Sequence, residues 1–272
     1  TKLETLRNKF LGVFCSSDKL NFMKLIPILE YHIFKLFPKK IIKLFDRLYN
    51  HRLNYNLLNL LHKGLKIEII YDIGAYRGKW SSFLNNTSLK NKKFFLFEAN
   101  EKNGEYLDKF DFKYFLEVLS DKSKDVEFYS QLSTGDSYLL EQTSFYKNNI
   151  KPTIKRAISL DELVKKENLP YPNFIKIDTQ GSELDILKGS QQSISECSLI
   201  YLECPIIEYN LKAPNINEYI KYLDSIGFVP YDICEIPKMD NVLIQIDILF
   251  IKKSILIKIH PEKKNLNILN SN

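Results

Sequence analysis

Along the chain the apolar positions change their period once, at Gly64. From Asn21 to Leu61 they recur three and four residues apart, as in Leu25, Ile28, Leu29 and again in Ile41, Ile42, Leu44, Phe45, Leu48, which is the spacing of one helix face. This predicts two or three helices, interrupted near Pro38 and ended by Gly64. Beyond Gly64 short apolar runs predict strands at 67–72, 93–98, 113–119, 173–178, 198–204, 228–233 and 242–251. Helical patterns fall between them, at 77–85, 101–109, 160–167, 183–195 and 215–226. Strands alternating with helices imply an α/β fold, a parallel sheet covered by helices on both faces. The polar stretch 130–155, with Gly135 and Pro152, fits neither period and reads as a long loop. The chain thus divides into a helical segment, 1–64, an α/β domain, 65–255, and a polar tail, 256–272, ending in an Asn-rich tract.

Charge sharpens that division. Of a formal net charge of +6, residues 1–64 carry 12 Lys and Arg against 4 Asp and Glu, which leaves 27 against 29 for the rest. A nucleic-acid groove in the main domain is therefore not expected, since it would need a basic stripe interleaved with aromatics. The basic segment has two readings. It packs on the protein's own body or on a second copy in a homodimer, or it rests as an amphipathic surface on anionic lipid. The density of apolar residues from Leu25 to Leu61 favours packing over membrane contact. Hydrophobic residues at 44% and aromatics at 13% suit an ordinary globular core. The four cysteines, Cys15, Cys197, Cys204 and Cys234, form no CxxC pair. Free thiols, the lack of any apolar run near the ~18 residues of a membrane span, and the lack of a secretory h-region give a cytoplasmic expectation.

In such a sheet ligands sit at the carboxyl ends of the strands, so the polar residues there are informative. The first strand, in "IEIIYDIGAYRGKW", ends at Asp72 and breaks into Gly74 and Gly78. Glycines past a strand let the backbone approach a ligand, and the helix that follows offers N–H groups. The second strand, "KKFFLFEAN", ends at Glu98, 20 residues past Gly78. A carboxylate there suits the two hydroxyls of a nucleotide ribose. A dinucleotide fingerprint would want a glycine where Tyr76 stands, to admit a pyrophosphate. A cofactor without phosphates, such as S-adenosylmethionine, does not need that space. Tyr76, and the absence of a Tyr-x-x-x-Lys pair near the fourth strand, set aside a nicotinamide-dependent oxidoreductase or epimerase. A non-catalytic binding protein on the same sheet is the third reading, supported by Tyr76 alone.

The fourth strand and its exit read "NFIKIDTQGSELDILKGS", with Lys176 and Asp178 on one face. The fifth, "SLIYLECPII", ends at Glu203, and the last, "IQIDILF", carries Asp247. Carboxylates on apolar strands are costly to bury unless paired or functional, and Lys176 is a partner at hand. The histidines fall at 32, 51 and 62 in the helical segment and at 260 in the tail, so none ends a strand of the sheet.

The series "YDIGAYRG", "LFEAN", "EVLSD", "ISLDELV", "FIKIDTQGSELDILKG", "YLECP", "YLDSIGFVPYD" and "QIDILFIKK", in this order, resembles the FkbM family of S-adenosylmethionine-dependent methyltransferases across roughly residues 65–253. The resemblance implies the seven-stranded class I methyltransferase sheet, Rossmann-like, with a final antiparallel strand. It implies methyl transfer to an oxygen, commonly a hydroxyl of a sugar or polyketide. By position it puts the methionine end of the cofactor around Asp72, Gly74, Ala75 and Gly78, the ribose on Glu98, the adenine between Leu119 and Ser120, and Asp178 near the sulfonium. The family usually carries Asn where this chain carries Tyr76, whose hydroxyl can still hydrogen-bond, so the resemblance keeps Tyr76 among the cofactor-binding positions while altering the contact to the cofactor's carboxylate.

Methyl transfer is an in-line displacement, so aligning the acceptor oxygen is the main task. A sugar hydroxyl must also lose its proton, and Asp178 is the first candidate base, then Glu203, with Lys176 beside them. A divalent cation held by Asp178 and Glu203 is the other route, but two carboxylates do not make a metal site, and none is predicted. The loop 131–150, rich in Ser and Thr, suits the hydroxyls of a glycan acceptor.

Overall fold

The computed structural model describes residues 52–130, 135–141, 151–208 and 210–261. Of two compact units, the second, His51–Asn272, contains all of them. The helices expected between Asn21 and Leu48, most of the loop 131–150, and the tail beyond 261 lie outside the described residues.

Seven strands form the main sheet. They are β1 (Ile69–Ile73), β2 (Lys93–Glu98), β3 (Lys113–Leu116), β7 (Phe174–Ile177), β8 (Leu199–Pro205), β9 (Phe228–Glu235) and β12 (Gln245–Lys252). Their order is β3-β2-β1-β7-β8-β12-β9, and β12 runs antiparallel to both its neighbours while the other pairs are parallel. The order reverses beside β1, so the carboxyl ends of β1 and β7 flank a switch point, where ligands bind in open α/β sheets.

Each sheet face has its own apolar cluster. Tyr71, Ile73, Phe97, Ile175, Ile200 and Phe250 face one side, covered by α4 (Leu160–Lys166), α5 (Glu183–Lys188), α6 (Gln191–Glu196) and α7 (Ile216–Ser225). Ile70, Leu96, Phe174, Tyr201 and Leu249 face the other, covered by α1 (Arg52–His62), α2 (Lys79–Asn85) and α8 (Lys253–Ile259). Period-2 alternation sets this division, because successive side chains leave a strand on opposite faces. Fully burying one such side chain contributes about 1.5–3 kcal/mol. The helix α1 is tied down further by Arg52, whose Nε lies 2.6 Å from Asp232 Oδ2.

Several expected elements are divided or joined by others. The run 113–119 breaks at Glu117, where β4 (Val118–Ser120) leaves the main sheet to pair with β6 (Thr153–Ser159), itself antiparallel to β5 (Lys124–Phe128). This three-stranded sheet is absent from the sequence reading. The runs "KDVEF" and "TIKRAIS" carry charges at most outward positions and have weak apolar signals. The expected helix 183–195 is two helices, turned at Gly189 and Ser190, with the Asp161 carboxylate accepting from the Gln192 and Ser193 amides at 2.8 and 2.9 Å. The helix expected at 101–109 is a 3-10 turn, Glu101–Asn103, followed by α3 (Gly104–Leu107). A hairpin of β10 (Lys238–Met239) and β11 (Val242–Leu243) precedes β12, and α8 follows it, burying Leu256.

Gly189 also fixes the small sheet against the helical layer, because a Cβ there would lie 2.2 Å from the Ser120 carbonyl oxygen. Gly189→Ala should therefore push β4 from α5 and destabilise the protein by about 1–3 kcal/mol, the usual range for overpacking. Urea unfolding of the variant against the parent chain checks this.

Candidate active site

The polar side chains at the carboxyl end of the sheet share one face. By the two-residue alternation Asp72 falls with Ile70, Glu98 with Leu96, Lys176 with Phe174, Glu203 with Tyr201, and Asp247 with Leu249, all in one apolar cluster.

Asp72 and Lys176 are cross-strand partners. Lys176 Nζ stands 3.1 Å from Asp72 Oδ1 and 3.4 Å from Asp178 Oδ2, and it donates to the Gly74 carbonyl at 2.8 Å. Ser81 Oγ, from α2, donates to the other oxygen of Asp72 at 2.6 Å. Burial opposes the ammonium charge, yet the carboxylates of Asp72 and Asp178 outweigh it and hold the Lys176 pKa above its ordinary value. Asp72 is completely buried and borders neither of the clefts below, so it acts here as the anchor of Lys176 and α2.

The turn after β1 needs its glycines. Gly74 has φ +72°, and a Cβ on it would lie 1.8 Å from the Asp178 carbonyl oxygen. At Gly78, φ +69°, a Cβ would press on Phe110 and Leu107. Four amides of the turn itself are engaged within the fold. Gly74 and Ala75 both donate to the Phe97 carbonyl, Gly78 donates to the Ala75 carbonyl, and Tyr76, with φ 50°, donates to Glu98 Oε2 at 2.7 Å.

Glu98 is buried and takes up three donors. Besides Tyr76, the Asn100 amide and Asn103 Nδ2 reach its Oε1 at 2.8 and 3.2 Å. Burial still pushes its pKa upward. Two carboxylate oxygens offer about four lone-pair directions, so one remains.

A second buried carboxylate shapes the loop after β7. Glu183 accepts from the Thr179 amide at 2.8 Å, the Gly181 amide at 3.0 Å and the Tyr219 hydroxyl at 2.8 Å. Burial raises its pKa. Gln180, at φ 58°, and Gly181, at φ 104°, are held in the left-handed region by this brace. The Gln180 side-chain amide is thereby aimed between two carboxylates, donating to Asp178 Oδ1 at 3.1 Å and Glu203 Oε1 at 3.0 Å.

Two clefts meet over this floor. The first is lined by Glu98, Val118, Leu119, Phe128, Asp136 and Tyr138 among others. The second is lined by Arg77, Trp80, Lys176, Gln180, Glu203 and Gln245 among others. Gly74, Tyr76 and Asp178 border both, and the Asp178 side chain, 39% exposed, stands at their junction. Ala75 borders the second cleft. Ser120 is fully buried behind the first, its Oγ 3.2 Å from the Tyr138 hydroxyl. The described part of the loop 131–150, residues 135–141, borders the first cleft through Asp136, Ser137 and Tyr138 and also packs on the loop after β7, where the Ser137 hydroxyl donates to the Thr179 carbonyl at 3.0 Å. Asn100 Nδ2 draws Asp136 Oδ2 in at 2.6 Å, and Ser137 pairs with Tyr129. Among the described residues no cluster of three or more His, Cys, Asp or Glu is disposed to hold a metal ion, and no helix is long and apolar enough to cross a membrane.

Sequence reasoning missed Gln180, Glu183, Asp136, Tyr138 and Arg77. Glu183 reads as an ordinary acid in the first turn of a helix. Its role appears only when Tyr219, 36 residues on, comes to it.

The strand order with its antiparallel β12, and a cleft at the ends of β1, β2 and β7, define a class I methyltransferase fold. The methyltransferase FkbM domain model matches residues 72–230, and the chain belongs to that family. Among solved structures, the methyltransferase FkbM of Methylobacillus flagellatus KT is 17% identical, covering 67% of this chain and 43% of that one, with a TM-score of 0.46. The magnesium protoporphyrin IX methyltransferase of Synechocystis PCC 6803 is 10% identical, covering 76% and 81%, with a TM-score of 0.42. The hexuronic acid methyltransferase AglP of Haloferax volcanii is 41% identical over 51 residues, which are 19% of this chain and 21% of that protein.

Asp247 borders the same acidic corner. Tyr201 donates to its Oδ2 at 3.1 Å, while Oδ1 is buried without a hydrogen-bond partner. Burial first, then the Glu235 and Asp178 carboxylates, push its pKa up to about 8. An unfolded Asp titrates near ~3.9, so between about pH 4 and 8 the folded chain keeps a proton that the unfolded chain has lost. Stability should therefore fall as pH rises through that window, and Glu98, Glu183 and Glu235, also raised by burial, add to the same trend. In denaturation measured from pH 5 to 8, Asp247→Asn should flatten the slope and leave the variant more stable than the parent at the alkaline end.

Proposed function

We propose that the protein is an S-adenosylmethionine-dependent O-methyltransferase acting on a hydroxyl of a sugar or glycan. The observation that carries this reading is the position of Asp178, an accessible carboxylate at the junction of two clefts, oriented by Gln180 and backed by Lys176. Family membership supports methyl transfer. The short match to a hexuronic acid methyltransferase supports a sugar acceptor.

The residues of the first cleft fit the cofactor. Glu98 turns its remaining acceptor capacity to a ribose, and Val118, Leu119 and Phe128 offer an apolar wall for an adenine. Gly74 keeps the chain low enough for close approach above the ends of β1 and β7. The bound cofactor supplies a methyl group activated on a sulfonium.

The rest of the chemistry falls to the second cleft. Trp80 provides an aromatic wall for a sugar face, and Gln180, Glu203 and Gln245 offer directional partners for its hydroxyls. The acceptor oxygen approaches beside Asp178, whose carboxylate takes the hydroxyl proton as the new C–O bond forms. Gln180 holds Asp178 and Glu203 apart at a fixed distance, so the base keeps one orientation while the acceptor is aligned.

Calorimetry with S-adenosylmethionine and with NAD tests the cofactor. Binding of the former alone is expected, and Glu98→Ala should weaken it by about 10- to 100-fold through loss of a charge-assisted contact of roughly 1.5–3 kcal/mol. Preferential binding of NAD would refute the reading. For the chemical step, Asp178→Asn should leave cofactor affinity near the parent value while methyl transfer to a sugar acceptor drops by about 10²-fold or more.

A further inference from the structure

The second cleft contains a cation, Arg77, that no carboxylate among the described residues neutralises. The Arg77 guanidinium carbon lies 4.1 Å from the centre of the Tyr106 ring and 4.9 Å from that of Tyr76. Its Nε is buried and has no hydrogen-bond partner, and no carboxylate among the described residues pairs with it. A guanidinium always carries its charge, and a buried donor left unmet is expensive. Clamping between two rings fixes the plane of its N–H fork in advance, so little side-chain freedom is lost when an anion docks.

Two other cations line this cleft, and neither offers a fixed fork: Lys79 is an exposed ammonium on a flexible stem. Lys176 is already held by Asp72, Asp178 and the Gly74 carbonyl. The amides of Gly74, Ala75, Tyr76 and Gly78 all have partners inside the protein. An anion entering above this turn therefore meets four engaged amides, an engaged lysine and the ring-held guanidinium of Arg77.

We propose that Arg77 is the carboxylate receptor of the active site. Its planar fork matches the two oxygens of a carboxylate, and the side chain borders the cleft next to Gly74 and Tyr76. The placement fits the α-carboxylate at the methionine end of the cofactor; an acid group on the acceptor is the other source of the same chemistry. The assignment rests on the methyltransferase reading above.

Calorimetric titration of the full chain, as wild type, Arg77→Gln and Arg77→Lys, tests it with two nucleosides. S-adenosylhomocysteine carries the α-carboxylate, whereas 5′-methylthioadenosine keeps the nucleoside and thioether but lacks it. Arg77→Gln should weaken S-adenosylhomocysteine by about 10- to 100-fold, with Arg77→Lys recovering part of the loss and all three proteins binding methylthioadenosine alike. If S-adenosylhomocysteine is unaffected, its saturated complexes are titrated with D-glucuronate and D-glucose. A preference for glucuronate in the wild type that vanishes in Arg77→Gln places the carboxylate on the acceptor and supports the assignment. Unchanged S-adenosylhomocysteine affinity with no such preference overturns it, as does an equal loss for both nucleosides, which would mark Arg77 as a packing residue. A wild type that binds neither nucleoside would instead refute the methyltransferase reading itself, and the assignment with it.

Discussion

The ion pair between Asp72 and Lys176 is the constraint on which the site depends. Both groups are almost wholly removed from water in the middle of the sheet, where an isolated charge of either sign would be prohibitive. Together, with Ser81 donating to Asp72 Oδ2 and the Gly74 carbonyl accepting from Lys176, they become tolerable. The arrangement links three elements at one point. It ties β1 to β7 through the register, ties α2 to β1 through Ser81, and leaves Lys176 within reach of Asp178 at the cleft.

Two further buried carboxylates work in the same way. Glu98 gathers the amides of Tyr76 and Asn100, so the ends of β1 and β2 close around one side chain. Glu183 gathers those of Thr179 and Gly181, so the loop after β7 turns through a left-handed pair of residues and aims Gln180. In each case an anion replaces the hydrogen bonds that a tight turn cannot make with itself. The accessible groups, Asp178 and Arg77, are carried on backbone fixed from beneath.

The division of labour between the clefts follows from where β4 goes. By leaving the main sheet at Glu117 it turns Val118 and Leu119 toward Glu98 and, with Phe128 of β5, gives the first cleft an apolar wall that the second lacks. The contact of Gly189 with the Ser120 carbonyl makes that departure sterically feasible. A longer side chain at Gly189 would separate the small sheet from the helices that support it.

The sequence by itself determined the main sheet and one face of the site. Apolar runs two residues in period are strands whatever surrounds them. The same parity puts Lys176 and Asp178 on a common side of their strand before any coordinates are known. Gly74 and Glu98 were legible for the same local reason, a turn and an offset read along a short stretch. Only the tertiary structure decided which of these groups face a ligand and which face one another. It buried Asp72 under Lys176, engaged the amides of Gly74, Ala75, Tyr76 and Gly78, recruited Glu183 through a distant tyrosine, and left Arg77 against two rings with no counter-charge among the described residues. Pairing of charges depends on distances across strands and loops far apart in the chain. Local periodicity fixes the direction in which a side chain leaves the backbone but carries no information about the partner it will meet.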